Sequence, residues 1–312
     1  MNKMKIITVT LSPALDVHCH AESFNAEREN FAKITSRDAG GKGINISRAL
    51  LSCGIKSRAI VAVGDKNADG FLSALAADGL DCEAIWTDGL IRENITVHTD
   101  KTKETRLSFD GFCGSSALLE DVESCLSGIA ESGDVLALAG SIPSGIGIEN
   151  VKAFVSRIKS KGVCVVIDSR SFSPADIFEC APFLIKPNEE EIIAYVGKEI
   201  TSTKEAVAAA ESIRAKGIEN VMISLGARGA VLASSEGCFF ARAPKLKALS
   251  TIGAGDSSIA GFLAAFSEKR SADECLKSAV AYGSAACLSE GTKPPTKGDV
   301  ERLLSEIKIE RI

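Results

Sequence analysis

Short apolar runs alternate along the chain with stretches in which apolar residues recur every three or four positions. The runs are IITVTL (6–11), AIVAVG (59–64), VLALAG (135–140), VCVVID (163–168), FLIK (183–186) and VMISLG (221–226). Residues with the spacing of one helix face are Ile46, Ala49, Leu50 and Cys53, and later Ile259, Phe262, Leu263 and Phe266. This alternation predicts an α/β fold, with a mostly parallel central sheet and helices on both faces.

Two segments interrupt the alternation with period-two patterns that are typical of strands. Residues 14–35 contain ALDVHCHA, and residues 91–112 contain NITVHT and TRLSF on either side of the polar turn DKTKE (100–104). They predict a small antiparallel sheet. Because both segments leave the parallel core and return to it, we expect one discontinuous lid over the strand ends, where open α/β sheets bind ligands. An edge hairpin without a function is the alternative.

Composition and charge restrict the class of function. The 312 residues are 45% hydrophobic and carry a net charge of −5, which favours one large α/β domain over 1–312 and argues against a nucleic-acid partner. The apolar run near the N-terminus is too short for a signal peptide, and no later run has membrane-spanning length. We therefore expect a cytoplasmic protein that acts on a small molecule and has no membrane partner.

Cysteine and histidine usage excludes several kinds of site. The ten cysteines include no CxxC pair, which favours buried free thiols over a zinc site or a redox couple. The three histidines, His18, His20 and His98, leave little material for a Ser-His-Asp triad or a histidine metal site. We expect His18 and His20 to lie on one face of a strand, at the surface.

The stretch TIGAGDSSIAGF (251–262) places a carboxylate where a glycine-rich turn enters a helix. The glycines allow a tight turn that points successive N–H groups at one spot, beside the positive end of the helix dipole. Asp256 would accept a proton from an alcohol there, while the amides of Ala254, Gly255 and Asp256 stabilise a transferring phosphoryl group. The alternative is that Asp256 only caps the helix.

A second glycine-rich turn, DAGGKGINISRAL (38–50), contains Lys42 and is not a Walker A loop, because the spacing of that motif is absent. Lys42 would hold a phosphate or substrate hydroxyls. The alternative is an ordinary exposed lysine, although the helix dipole disfavours a cation at that position.

Two further turns carry candidate nucleotide and metal residues. In LIKPNEEEI (184–192), Asn188 and Glu191 lie one helical turn apart and are able to hold a hydrated Mg²⁺, but the same spacing forms a capping box. In SLGARGA (224–230), glycines after a strand suit the close approach of nucleotide phosphates. A plain hairpin turn explains that stretch equally well.

Four motifs, GGKGIN, KPNEEE, SLGARGA and TIGAGDSSIAGF, occur in an order and spacing that resembles the PfkB family of carbohydrate kinases, over nearly the whole chain. The resemblance implies a ribokinase-like fold, phosphorylation of a sugar alcohol by ATP with Mg²⁺, and a β-sheet lid that is often used for a homodimer. It makes Asp256 the base, with an anion hole at Gly253, Ala254 and Gly255.

The resemblance also assigns the remaining site residues. Asn188 and Glu191 match the element that orders magnesium and phosphate. The residues near ATP would be Lys186, Ser224, Gly226 and Gly229, and those that hold the sugar would be Asp16, Gly41, Lys42 and Asn45.

TLSPALD (10–16) and IRENI (91–95) resemble the hexose-phosphate branch of the family. There, Arg92 would bind the acceptor's phosphate through two parallel hydrogen bonds, together with Lys42. The alternative is a surface arginine beside Glu93. Ser12 and FDGFCGSS (109–116) depart from the branch pattern. The expected reaction is phosphorylation of a ketohexose phosphate, with fructose 1-phosphate as the first choice and tagatose 6-phosphate, an unphosphorylated sugar or a nucleoside as alternatives. A catalytically silent sugar-phosphate binding protein is the alternative from another class.

Overall fold

The computed structural model describes residues 3–100, 104–289 and 291–312. Helices follow most of the apolar strands. They are α1 (Lys42–Ser52), α2 (Ala68–Ala77), α3 (Ser116–Ile129), α4 (Ile148–Ser160), α5 (Pro174–Cys180), α6 (Glu191–Val196), α7 (Thr203–Arg214), α8 (Ala254–Ser267), α9 (Ala272–Ala286) and α10 (Lys297–Glu306). In the described part of the chain, none of them is long and apolar enough to cross a membrane.

A ten-stranded sheet forms the centre of the molecule. Its strands, in order across the sheet, are β14 (Ile309–Arg311), β13 (Gly237–Arg242), β12 (Gly229–Ser234), β11 (Asn220–Ser224), β10 (Leu184–Ile185), β9 (Cys164–Asp168), β8 (Val135–Ala139), β1 (Ile6–Thr10), β4 (Arg58–Gly64) and β5 (Asp81–Thr87). The seven neighbouring strands that extend across the sheet from β5 to β11 are all parallel. Beyond β11, each of β12, β13 and β14 is antiparallel to the strand before it. All six predicted strands lie in the parallel part, which confirms the predicted architecture.

Both faces of the sheet are buried under helices, because successive side chains of a strand point to opposite faces. In β8, Leu136 and Leu138 pack with α3, α4 and α7, whereas Val135 and Ala137 pack with α1, α8 and α9. The parallel strands are therefore apolar throughout. All ten cysteines are free thiols, but the expectation that they are buried was wrong for most of them. Only Cys19, Cys180, Cys238 and Cys275 are buried, and Cys113 is exposed.

A separate four-stranded sheet contains the two segments with period-two patterns. Its order is β3 (Lys33–Gly40), β2 (Ala14–Ala21), β6 (Arg92–Thr99) and β7 (Thr105–Ser108). The outer pairs are antiparallel, but β2 and β6 are parallel, so the expected wholly antiparallel sheet was wrong at its centre. The reason is that β2 and β6 leave the same edge of the large sheet, after the parallel strands β1 and β5.

The boundaries of this small sheet also differ from those expected. Strand β3 continues to Gly40, five residues beyond the expected end at residue 35. Residues 101–103 of the predicted turn DKTKE lie outside the described residues. The lid as a whole, over about 14–35 and 91–112, stays a prediction about function.

The order of the large sheet reverses at β1. The chain builds β4 and β5 on one side of β1 and then returns to build β8, β9, β10 and β11 on the other side. Open α/β sheets bind ligands at the carboxyl ends of strands beside such a reversal. The residues that follow β1, β8, β9 and β10 therefore mark the candidate site.

Candidate active site

Helix α8 begins at the predicted glycine turn. Gly253 precedes it with φ +76°, in the left-handed region that glycine adopts without strain. The N–H of Ser257 donates to the carbonyl of Gly253 at 2.9 Å, and that of Ala254 donates to Thr251 at 3.3 Å. The amides of Gly255 and Asp256 donate to no residue of the described chain, so two of the three predicted amides remain for an anion.

Asp256 does not cap this helix. It is the third residue of α8, and Gly253 occupies the N-cap position. The Asp256 side chain is buried, with 7% of the residue exposed, and its Oδ2 accepts a hydrogen bond from Nδ2 of Asn45 at 2.8 Å. The alternative that Asp256 serves as the N-cap was therefore wrong, and its carboxylate is oriented by α1 instead.

Lys186 brings a positive charge to the same turn. The residue follows β10 and is buried. A Cβ atom added to Gly255 would lie 3.0 Å from the Lys186 Nζ atom. The missing side chain of Gly255 thus admits the ammonium group to the start of α8, next to the two unpaired amides.

Asp168, at the end of β9, is the site residue that the sequence analysis missed. Its side chain is buried, and its Oδ2 accepts a hydrogen bond from Nζ of Lys42 at 3.0 Å. VCVVID was predicted only as a strand. The sequence did contain a signal that could have identified Asp168. It is a carboxylate at the carboxyl end of an apolar parallel strand, where ligands bind.

Burial and neighbouring charges set the pKa values of Asp256 and Asp168. Burial, together with the nearby Asp168 carboxylate, raises the pKa of Asp256 to about 6, against the opposing effects of Asn45, Lys42 and Lys186. Burial also acts to raise the pKa of Asp168, but Lys186 and Lys42 outweigh it and hold that pKa below its usual range. At neutral pH Asp256 is therefore ionised but more basic than an ordinary carboxylate.

The turn at Asn188 has the reciprocal hydrogen bonds of the capping box that the sequence analysis considered, although α6 itself begins at Glu191 with Glu190 as its N-cap. Oδ1 of Asn188 accepts from the N–H of Glu191 at 2.8 Å, and Oε2 of Glu191 accepts from the N–H of Asn188 at 3.1 Å. Oε1 of Glu191 accepts from Nε of Arg170 at 2.9 Å. Since these oxygens already have partners, the pair fits a magnesium ion that is held through water molecules. The metal role stays a prediction.

A cavity of about 160 Å³ is lined by residues of this turn and by the ends of β9 and β10. Asp168, Arg170, Lys186 and Glu191 contribute its charged lining. The rest is mostly apolar residues of β9, β10, α5, α6 and the segments that follow the two strands. Glu191 therefore lies close to the Lys186–Asp168 pair. The roles of Lys186 toward ATP and of Glu191 toward Mg²⁺ stay predictions.

The predicted nucleotide loop lies beside the same turn. The N–H of Ser224 donates to the carbonyl of Pro187 at 3.1 Å, and a Cβ atom added to Gly226 would lie 3.5 Å from Oε2 of Glu189. Arg228 forms an ion pair with Glu189. A short 3₁₀ turn, Gly226–Arg228, joins β11 to β12, whose first residue is Gly229. The hairpin interpretation is thus correct, and the ATP-binding role stays a prediction.

The predicted sugar-binding residues lie at two neighbouring places. Gly41 is the N-cap of α1, and Asn45 reaches Asp256 from the same helix. On the small sheet, Oδ1 of Asp16 accepts from Nδ2 of Asn94 at 2.7 Å. Arg92 is half-buried and donates to the carbonyls of Pro13 and Ser12, both at 3.3 Å.

Lys42 and Arg92 lie near different carboxylates, so no contact of the described residues brings these two cations together. Lys42 pairs with Asp168, whereas Arg92 lies near Asp16 on the small sheet. The segment FDGFCGSS also lies against Arg92, because a Cβ atom added to Gly111 would lie 2.9 Å from the Arg92 amide nitrogen. Both segments that depart from the branch pattern therefore contact Arg92.

Comparison with known proteins identifies the family. The model of pfkB family carbohydrate kinases matches residues 12–297. The chain belongs to this family. A 1-phosphofructokinase of Bacillus subtilis is 33% identical over 311 residues, which cover 98% of this chain and 100% of the relative. A 1-phosphofructokinase of Escherichia coli is 30% identical over 307 residues, 98% of each chain.

Solved structures agree with this assignment. The phosphofructokinase-2 of Escherichia coli, crystallised with substrates and products, superposes with a TM-score of 0.90 at 28% identity and covers 97% of this chain and 99% of its own. The fold expected from the sequence is thus confirmed. As a pfkB-family kinase, the protein is a sugar kinase of a family that uses ATP and usually Mg²⁺.

Proposed function

We propose that the protein transfers the terminal phosphoryl group of ATP to a hydroxyl group of fructose 1-phosphate, giving fructose 1,6-bisphosphate. The observation that carries the proposal is the arrangement at the start of α8, where the buried Asp256 carboxylate adjoins two unpaired amides and the Lys186 ammonium group. The 1-phosphofructokinase relatives support the choice of acceptor.

In the proposed reaction, Asp256 removes the proton of the acceptor hydroxyl as its oxygen bonds to the terminal phosphorus of ATP. The bond between that phosphorus and the bridging oxygen of ADP breaks, and ADP leaves. The amides of Gly255 and Asp256, with Lys186, stabilise the negative charge on the transferred group. Asn45 orients Asp256, and Lys42 keeps Asp168 ionised. Bound through water by Asn188 and Glu191, Mg²⁺ would neutralise charge on the ATP phosphates.

A phosphorylated acceptor is supported by Arg92. The guanidinium is half-buried, and burial, with a contribution from Arg106, lowers its pKa. No ion pair joins Arg92 to a carboxylate within the described residues, although a buried cation needs an anionic partner. A phosphate dianion would provide one. Fructose 6-phosphate is the second candidate, since an ATP-dependent 6-phosphofructokinase isozyme 2 of Escherichia coli is 29% identical over 303 residues.

The test is an ATP-consumption assay with fructose 1-phosphate, fructose 6-phosphate, tagatose 6-phosphate, fructose, ribose and a nucleoside. We expect the highest kcat/KM with fructose 1-phosphate. In Arg92→Ala, KM for the sugar phosphate should rise by about 10- to 100-fold, with KM for ATP nearly unchanged. A preference for an unphosphorylated sugar would overturn the acceptor, and no ATP consumption with any acceptor would favour a binding protein.

We also propose that two copies of the chain associate through the small sheet, and that the protein works in the cytoplasm, where ATP is available. The family resemblance and the exposed apolar side chains in and next to this sheet support the association. Phe31 is 83% exposed, and Ile34, Leu107 and Phe109 are also exposed.

A further inference from the structure

Tyr195 lines the cavity beside Lys186, and the sequence analysis gave it no role. It belongs to α6 and lies four positions after Glu191, so the two residues share one face of the helix, one turn apart. Both line the cavity of about 160 Å³, together with Asp168. Two carboxylates and one phenol group therefore line the same cavity.

Packing and charge fix the state of the Tyr195 side chain. Its ring meets Phe178 of α5 edge to face, with the ring centroids 6.0 Å apart and the ring planes at 74°. Burial, with smaller effects of the Glu191 and Asp168 carboxylates, raises the pKa of Tyr195 to about 12. The hydroxyl group therefore stays protonated at neutral pH and lies within reach of the charges of both carboxylates.

The hydroxyl group of Tyr195 has no hydrogen-bond partner in the described part of the chain, and its oxygen is accessible to water. A phenol hydroxyl accepts hydrogen bonds as well as donating one. The volume of the cavity far exceeds the roughly 15 Å³ that one water molecule needs. Water that enters the cavity thus has an unused oxygen acceptor at Tyr195.

The other acceptors near this cavity are already occupied. In Glu191, Oε2 accepts from the N–H of Asn188 and Oε1 accepts from Nε of Arg170. Mg²⁺ keeps several of its water molecules in protein sites, and the hydrogens of those waters need acceptors. Tyr195 would add one without adding a third negative charge to those of Glu191 and Asp168.

We propose that Tyr195 is a positioning residue for magnesium, whose hydroxyl group accepts a hydrogen bond from a water molecule of the hydrated Mg²⁺ and so strengthens the binding of ATP together with the metal. This inference rests on the proposed function, in which Mg²⁺ accompanies ATP. Tyr195 itself would contact neither the acceptor nor the transferred phosphoryl group.

The experiment compares wild type with Tyr195→Phe, which removes only the hydroxyl group, and with Tyr195→Leu, which also removes the ring. The matched control is Tyr282→Phe. Tyr282 is the other tyrosine of the chain, and it is buried in α9 against Gly261 of α8, outside the cavity. ATP binding is measured by titration calorimetry without an acceptor, over a range of Mg²⁺ concentrations and in EDTA. Tm, and kcat at saturating Mg²⁺, are measured for each protein.

We expect Tyr195→Phe to raise the Mg²⁺ concentration for half-maximal tightening of ATP binding by about 3- to 10-fold, the effect of one hydrogen bond. Its ATP affinity in EDTA, its kcat at saturating Mg²⁺ and its Tm should stay close to wild type. Tyr195→Leu should show the same Mg²⁺ response with a lower Tm, because the contact with Phe178 is lost. Tyr282→Phe should keep the Mg²⁺ response of wild type.

Two results would overturn the inference and leave the proposed function intact. One is an unchanged Mg²⁺ response in Tyr195→Phe. The other is an equal loss of ATP affinity in Mg²⁺ and in EDTA, which would mean that Tyr195 only supports the shape of the site. A wild type that binds ATP with Mg²⁺ but phosphorylates no sugar or sugar phosphate would instead overturn the proposed function, while the binding measurements would still report on Tyr195.

Discussion

Asp256 combines two properties that a general base needs, a fixed orientation and a raised basicity. Asn45 holds its Oδ2, and burial raises its pKa to about 6. The residue is ionised at neutral pH and still accepts a proton more readily than an exposed aspartate. This ionisation is possible because the cations Lys42 and Lys186 partly offset the cost of burial.

Replacing Asp256 with Asn should remove proton acceptance and keep the shape of the site. We expect kcat to fall by about 10²- to 10⁴-fold, the usual contribution of a positioned base, with little change in ATP binding. In wild type, kcat should fall as the pH drops below about 6, because Asp256 becomes protonated. Steady-state kinetics between pH 5 and 8 test both expectations, and a near-normal kcat for the variant would contradict them.

The same substitution should stabilise the folded protein at neutral pH. The pKa of Asp256 rises from 3.8 to about 6 on folding, so the stability from this group is fully present below about pH 4 and is lost as the pH rises through about 6. That loss is about 3 kcal/mol. Asn cannot ionise and avoids it. Thermal unfolding should therefore show a higher Tm for Asp256→Asn at pH 7.5 and a smaller difference at pH 4.

A difference in Tm that does not depend on pH would show that Asp256 carries no such penalty. Asn45→Ala is the matched control, because it removes the hydrogen bond to Asp256 and leaves the carboxylate in place. We expect it to lower the Tm at pH 7.5 by leaving that buried charge with one donor fewer.

At the scale of elements, the turn that begins α6 serves two purposes with the same residues. Its capping box stabilises the helix start, and Glu191 also faces the cavity that leads to Lys186. Both functions need an oxygen acceptor at residue 191, but only the proposed metal role needs a full negative charge. A substitution that keeps the acceptor and removes the charge separates them.

Glu191→Gln is that substitution. We expect its Tm to stay near wild type, because the amide oxygen still accepts from the Asn188 N–H, and the Mg²⁺ concentration for half-maximal rate to rise severalfold. Arg170→Ala is the control, since it removes the ion-pair partner of Glu191 but keeps the carboxylate. A lowered Tm with an unchanged Mg²⁺ response would contradict the metal role.

At the scale of the whole molecule, the small sheet has two different faces. Asp16, Arg92 and Arg106 make one face polar, whereas Val17, Ile95 and Leu107 occupy the other in register. Leu107 is 46% exposed. An apolar face that is only partly covered within one chain is typical of a surface that binds a protein.

Leu107→Asp and Ile34→Asp should convert the proposed dimer to a monomer, because burying a charged carboxylate in the interface costs its hydration. Size-exclusion chromatography with light scattering measures the mass directly. Leu249→Asp is the control, as Leu249 is 63% exposed and lies outside the small sheet. A wild type that is already monomeric at micromolar concentration would contradict the proposed association.

Local structure was largely predictable from the sequence. The six apolar runs became strands of the parallel sheet, and the glycine turn before Asp256 adopts the left-handed conformation that Gly253 allows. Such features depend on residues within a few positions of each other, through apolar periodicity, backbone sterics and the dipole of the helix. The order of the four motifs was likewise sufficient to indicate the family.

The contacts that make the site work were decided by the tertiary structure. Lys42 meets Asp168 across 126 positions, and Asn45 meets Asp256 across 211. Arg106 meets Asp16 only because β2 and β6 pair in parallel with β7 at the edge. Strand order and register set these distances, and they follow from the packing of the whole core, because no local pattern relates side chains so far apart in the chain.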